Sequence, residues 1–146
     1  MNDQVENAAA EEEVSYGNGR PVHFEIHAAD PARAVAFYVE VFGWQSEDWT
    51  EYAGMPYFGL RTGEGPGIDG AIMQRHGDNP EPGAAVGGGV LTMGVASFDE
   101  AAERILAAGG TLAMPKYALP GMAWQGYFLD TENNVFGIHE PDPEAK

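Results

Sequence analysis

The 146-residue sequence predicts an α+β fold of two successive βαβββ modules. Three observations predict it. A strand, a helix and three further strand candidates occur twice in the same order, and a break rich in glycine and proline separates the two runs. The 20 glycines and 10 prolines also supply more turns than a helical bundle needs. A chain of this length can bury roughly two-thirds of the surface it exposes when unfolded, enough for one domain with its own core.

The first 19 residues, with Glu6, Glu11, Glu12 and Glu13 and the ending Tyr16-Gly17-Asn18-Gly19, carry too little apolar surface to offset ordering entropy. They are expected to be a disordered acidic tail, ahead of a single domain over 20–142. The first module is assigned to 20–75, a linker to 76–89 through Asp78-Asn79-Pro80-Glu81-Pro82-Gly83 and Gly87-Gly88-Gly89, and the second module to 90–142.

Val22-His23-Phe24-Glu25-Ile26-His27 alternates apolar and polar residues, the pattern of a strand with two different faces. Asp30-Pro31 then offers an N-cap and a first helical residue, and Ala34, Phe37, Tyr38, Val41 and Phe42 form one apolar stripe that Gly43 ends. In the second module Val90 to Val95 is the matching strand. Ser97 and Glu100 fit a capping box, Phe98, Ala101, Ala102, Ile105 and Leu106 form the stripe, and Gly109-Gly110 stops the helix. The remaining strands are expected near 46–52, 56–61 and 68–74, then near 111–115, 122–129 and 134–140. Aligning Asp30 with Ser97 overlays the two helices without a gap and sets His23 opposite Val90.

Composition excludes several classes of function. Without cysteine there is no disulfide, thiolate ligand or thiol redox chemistry, so a metal site must use histidine, carboxylate, amide or water. With 23 acidic and 7 basic residues the formal charge is -16, which opposes the counterion release that drives nucleic-acid binding. The acidity suits solubility or a salt-adapted surface and would attract a cationic ligand. No run of about 18 apolar residues occurs and the first residues lack an apolar stretch, so no membrane partner and a cytoplasmic location are expected.

The segment from His23 to Tyr38, followed by Val41-Phe42-Gly43-Trp44, resembles the opening of vicinal oxygen chelate proteins, the superfamily of glyoxalase I, extradiol dioxygenases and bleomycin-resistance proteins. The ending Asp130-Thr131-Glu132-Asn133-Asn134-Val135-Phe136-Gly137 resembles that superfamily's closing turn and last strand. The resemblance implies that the two modules form curved, mainly antiparallel sheets around a central cavity, and it implies a small-molecule ligand and a homodimer. It further implies divalent-metal ligands at the starts of the first strands and ends of the last strands of the two modules. His23 matches the first of these positions. The others fall on Val90 or nearby Thr92, on Met73 or Gln74, and on Gly137; neither Val nor Gly has a ligand side chain, and between Met73 and Gln74 only Gln74 offers an oxygen, a weak ligand for a transition metal.

His23, Glu25 and His27 share one strand face. At ~3.3 Å per residue the two histidines lie ~13 Å apart, too far for metal–nitrogen bonds of ~2 Å to meet at one ion. A bound metal would therefore use His23, with His139 or Gln74. Glu25 on a cavity face is a candidate acid or base, with His23 as its catalytic companion. Trp49, Tyr52, Tyr57, Phe58, Trp124, Tyr127 and Phe128 can supply flat walls for a planar ligand, although alternation turns Trp124 and Tyr127 to opposite sides. The expected ligand-binding set is His23, Glu25, His27, Tyr57, Trp124, Tyr127 and His139. The expected function is binding of an aromatic or cationic small molecule without the full metal site. The enzyme alternative is a lyase, isomerase or dioxygenase using His23 and Glu25, with or without a divalent metal, and a third is a non-catalytic interaction module with a vestigial pocket.

Overall fold

The computed structural model describes residues 21–146, so the stretch expected to be a tail lies outside the described residues. Strand β1 (Phe24–Ala28) leads into helix α1 (Pro31–Phe42), capped where Asp30 accepts the Arg33 N–H and ended by Gly43 at φ 72°. Strands β2 (Gln45–Asp48), β3 (Tyr57–Arg61) and β4 (Gly70–Gln74) complete the first module. The second repeats the plan with β5 (Leu91–Gly94), a helix at Phe98–Ala107, β6 (Thr111–Leu119), β7 (Ala123–Leu129) and β8 (Val135–Pro141). The sheets are ordered β1-β4-β3-β2 and β5-β8-β7-β6, with β1/β4 and β5/β8 parallel and all other pairs antiparallel. No helix or strand lies between Gln74 and Leu91.

Local departures have local causes. The expected strand 46–52 stops at Asp48, because the Asp48 carboxylate accepts the Thr50 N–H and starts a one-turn helix α2 (Thr50–Ala53) that Gly54 ends at φ 77°. The Phe98–Ala107 helix is therefore α3. Strand β6 runs on to Leu119 instead of ending near 115: Pro115 lies on the outer strand of the sheet, where two register shifts between Leu112 and Tyr117 accommodate it. Leu106 was expected in the buried stripe of α3 but is 54% exposed, since it lies beyond the edge of the face formed by Phe98, Ala101 and Ile105. Packing extends past the expected boundary at 142, for Ala145 is buried and its carbonyl accepts the Gly121 N–H.

One apolar cluster joins the modules. Ala34, Phe37, Tyr38 and Val41 of α1 meet Ile26, Leu60 and Ile72 of the first sheet, while Phe98 and Ile105 of α3 meet Phe128 and Ile138 of the second. Phe136 on β8 closes the seam, its ring 5.9 Å from each of Phe37, Tyr38 and Phe42 in edge geometry.

A polar latch lies beside the seam. In the β7–β8 turn, Asp130 accepts the N–H groups of Glu132 and Asn134 on one oxygen and the Tyr38 hydroxyl, at 2.7 Å, on the other. Asn133 takes φ 63° to turn the chain back, a conformation asparagine tolerates. The fully buried Glu132 accepts from the Asp30 N–H at 3.0 Å, Asn79 at 3.0 Å, Thr131 at 2.9 Å and Arg33 at 2.6 and 3.1 Å.

Burial alone would raise the Glu132 pKa, but the hydrogen bonds from Arg33, Asn79, Asp30 and Thr131 outweigh it and hold the group at about 2. Its contribution to stability is complete above its unfolded pKa of about 4.3 and is lost as pH falls through about 2. Asp130 works in the opposite sense: burial raises its pKa, so its contribution is lost as pH rises through that value. Glu132→Gln is expected to cost on the order of 2 to 3 kcal/mol at neutral pH and to flatten the stability profile between about pH 5 and 2, measured by denaturant unfolding across that range.

Candidate functional site

Registry decides which side chains of the first sheet share its polar face. Glu25 and His27 lie on β1 and His23 just ahead of it; Glu25 is paired with Ala71 of β4, Ala71 with Gly59 of β3, and Gly59 with Glu47 of β2. Tyr57 follows on β3 opposite Met73, which is opposite His27. Because Ala71 is small, the Tyr57 ring can lean across β4 and reach β1. Its hydroxyl donates to Glu25 Oε2 at 3.1 Å and lies 3.1 Å from His23 Nε2, while Glu25 Oε1 lies 3.3 Å from His27 Nε2.

Proton bookkeeping assigns the tautomers. Tyr57 has one hydrogen and gives it to Glu25, so His23 Nε2 must donate to the phenol oxygen; the Glu25 carboxylate likewise takes a proton donor from His27 Nε2. Burial, then the hydrogen bond to Glu25 and its charge, raises the Tyr57 pKa, which keeps the phenol protonated as a donor. The structure thus brings together four of the expected site residues, with the carboxylate held at the centre.

A further aromatic joins them. Trp49, between β2 and α2, donates its backbone N–H to the Tyr57 carbonyl and stacks on the Tyr57 ring at 6.3 Å and 13°. Its indole covers Gly59, where an added Cβ would come within 2.6 Å of the ring. This ring forms one wall of a cavity of about 450 Å³ whose other lining residues include His23, Gln45, Glu47, Arg61 and Asp69. A glycine within a strand is the signal in the sequence for such a close approach.

The polar face of the second sheet is built the same way. Gln125 on β7 is paired with His139 on β8, and its side chain crosses Gly137 to place Nε2 3.4 Å from the Thr92 hydroxyl, while its Oε1 accepts from His139 Nδ1 at 2.8 Å. Tyr127 lies on the same face, and its hydroxyl beside Tyr117 raises the Tyr117 pKa. Trp124 turns to the other face. Its indole N–H donates to Asp142 at 2.9 Å and Lys116 sits 4.6 Å above its ring, so it is separate from the rest of the expected ligand set. Phe58 and Phe128 also point to the helix side, and Tyr52 on α2 is 96% exposed. Gln125, a residue with no motif around it, was not expected in the site.

The residues present do not fit a divalent metal of the superfamily type. His23 and His27 both commit Nε2 to the network, Gln74 donates to the Ala29 carbonyl at the far end of β4, and His139 is held by Gln125 in the other sheet. At Gly137, where the resemblance places a terminal acidic ligand, an added Cβ would lie 2.8 Å from both Gln125 Nε2 and Thr92 Oγ1, so that space is filled. Among the described residues no three of His, Cys, Asp and Glu converge on a common point.

Comparison with known proteins agrees with this architecture. The model of the Glyoxalase/Bleomycin resistance protein/Dioxygenase superfamily matches residues 20–138, and the chain belongs to that family. A glyoxalase/bleomycin resistance protein/dioxygenase family enzyme from Burkholderia phytofirmans superposes with a TM-score of 0.62 at 24% identity, over 81% of this chain and 95% of that one. The fosfomycin resistance protein FosX from Listeria monocytogenes gives 0.63 at 21% identity, over 84% and 93%. A variant of that protein has been solved with manganese(II) and 1S,2S-dihydroxypropylphosphonic acid. At these identities the likeness shows the fold. No curated protein matches the chain. Among the described residues no helix is long and apolar enough to cross a membrane.

Gly59→Ala is expected to expel the Trp49 ring from its seat, because a methyl group cannot share that space. The change should cost about 1 to 3 kcal/mol and red-shift the tryptophan emission. An unchanged emission spectrum and unfolding midpoint would show that Trp49 does not sit there.

Proposed function

We propose that the protein binds a small planar molecule, aromatic or cationic, on the polar face of the first sheet, and that it does so without a divalent metal. The observation that carries this reading is the continuous chain His23–Tyr57–Glu25–His27, in which the Nε2 atoms of both histidines are already engaged as proton donors. Beside it the Trp49 and Tyr57 rings offer a stacking wall, and Glu25 and Glu47 supply negative charge for a cation held over the rings.

A homodimer belongs to the same proposal. The cavity beside His23 is lined by the first module alone, while Val90, Met114 and Met122 of the second module are exposed. A second copy would cover such surface and could complete the wall of the cavity. A cytoplasmic setting accords with a chain that has no cysteine.

The enzyme reading keeps one observation in its favour. Glu25 sits between a phenol and an imidazole, where it could pass a proton to or from a bound substrate. Lyase, isomerase and dioxygenase substrates are the ones to assay.

Native mass spectrometry of freshly isolated protein tests the main reading. The expected result is a dimer without stoichiometric metal, and His23→Ala or Glu25→Ala should weaken binding of a co-purified ligand at least tenfold. Iron, zinc, manganese or nickel near one equivalent, lost on chelation together with a turnover activity, would overturn the metal-free proposal. Turnover that both alanine variants abolish in metal-free protein would favour the enzyme reading.

A further inference from the structure

A second cavity, of about 540 Å³, opens along the outer edge of β1 between the modules, bounded by Glu25 and His27, by Arg75, by the linker from Ala84 to Gly89 and by Val135. It shares Glu25 and His27 with the network but not the cavity beside His23. Arg75, just past β4, is half-buried here, and its Nη2 donates to the His27 carbonyl at 2.7 Å and to Asn134 Oδ1 at 2.6 Å. Both acceptors are neutral. Its Nε is buried with no acceptor at all.

That arrangement is exceptional in so acidic a chain. Among the described residues the ion pairs are Arg33 with Glu132 and Lys116 with Asp99, joined by Glu25 with His27 only when that imidazole is protonated. Arg61, Arg104 and Lys146, which also lack a carboxylate partner, are exposed to water and need none. A half-buried guanidinium without a counter-charge, carrying an unmet N–H, is costly unless an anion arrives. The cavity has room for one, since a Cβ added at Gly87, Gly88 or Gly89 would meet nothing within 4 Å. The backbone N–H groups of 85–89 have no hydrogen-bond partner among the described residues and can serve as further donors.

We infer that this cavity is a binding site for a small monocarboxylate with an apolar body. The carboxylate would lie against Arg75 and the linker N–H groups, and the body against Ile26, Leu91, Val135 and Phe136, which line the same space. Glu25 also lines the cavity, so a dianion meets more repulsion there than a monoanion does. The inference stands whether or not the cavity beside His23 binds a ligand.

The test uses the full chain labelled with 15N-arginine. The Arg75 Nε–H signal, assigned by its loss in Arg75→Lys, is followed during titration with benzoate, acetate, sulfate and sodium chloride at matched ionic strength. A saturable shift with benzoate, weaker with acetate and absent with sulfate or chloride, is expected. Calorimetry should show benzoate binding at least tenfold weaker in Arg75→Lys. No saturable shift with benzoate up to tens of millimolar in the wild-type protein would overturn the proposal, whether or not the variant folds. A signal that moves in the ligand-free protein when Glu11, Glu12 and Glu13 are changed to Gln would also overturn it, because the chain's own carboxylates would then fill the site.

Discussion

Everything else in this structure is referenced to the buried carboxylate of Glu132. It belongs to the second module, yet three of its partners, Asp30, Arg33 and Asn79, lie before the second module begins. A carboxylate removed from water is costly, and it is tolerated because its oxygens together receive five hydrogen bonds, two of them from a guanidinium. The arrangement is directional in a way that the aromatic seam around Phe136 is not. Apolar contact brings the modules together, but only the latch specifies which turn meets which helix end.

The latch positions the site through β1. Asn134, in the same turn as Glu132, donates to the His27 carbonyl, and Arg75 donates to that carbonyl from the other side. The end of β1 is therefore held by backbone contacts independent of its side chains, leaving Glu25 and His27 free to face the cavities. Reaching them from β3 means spanning two strand spacings, roughly 9.5 Å. Only a long side chain over a small neighbour does this, and Tyr57 over Ala71 satisfies both conditions.

How much of this was legible in the sequence depends on the range of the cause. The alternation of Val22 to His27, the Asp30-Pro31 cap and the Ser97-Glu100 box are local, and they correctly placed β1, both helices and the repeat. Alternation also separated Trp124 from Tyr127. The one-turn helix at Thr50 depended on which neighbour Asp48 would cap, and the length of β6 depended on a partner strand that tolerates Pro115. Gln125 and Arg75 were invisible for a stronger reason. Neither belongs to a motif, and each acquires its role only when residues 33 and 59 positions away, respectively, come within hydrogen-bond range.

The repeat explains why the superfamily's ligand positions are poor in donors here. In register, Tyr57, Ala71 and Glu25 of the first module occupy the places of Gln125, Gly137 and Thr92 in the second. Each module thus bridges its third strand to its first across a small residue on the strand between. The bridge needs that small residue, and in the second module it falls where a metal ligand would otherwise project. A glutamate at 137 and the Gln125–Thr92 contact compete for the same volume, so a chain that keeps the contact gives up the ligand. What differs between the modules is charge: the first bridge ends on a carboxylate flanked by two histidines, and the second on a neutral hydroxyl. That asymmetry, on an otherwise duplicated frame, is the reason the proposed cationic ligand is assigned to the first sheet.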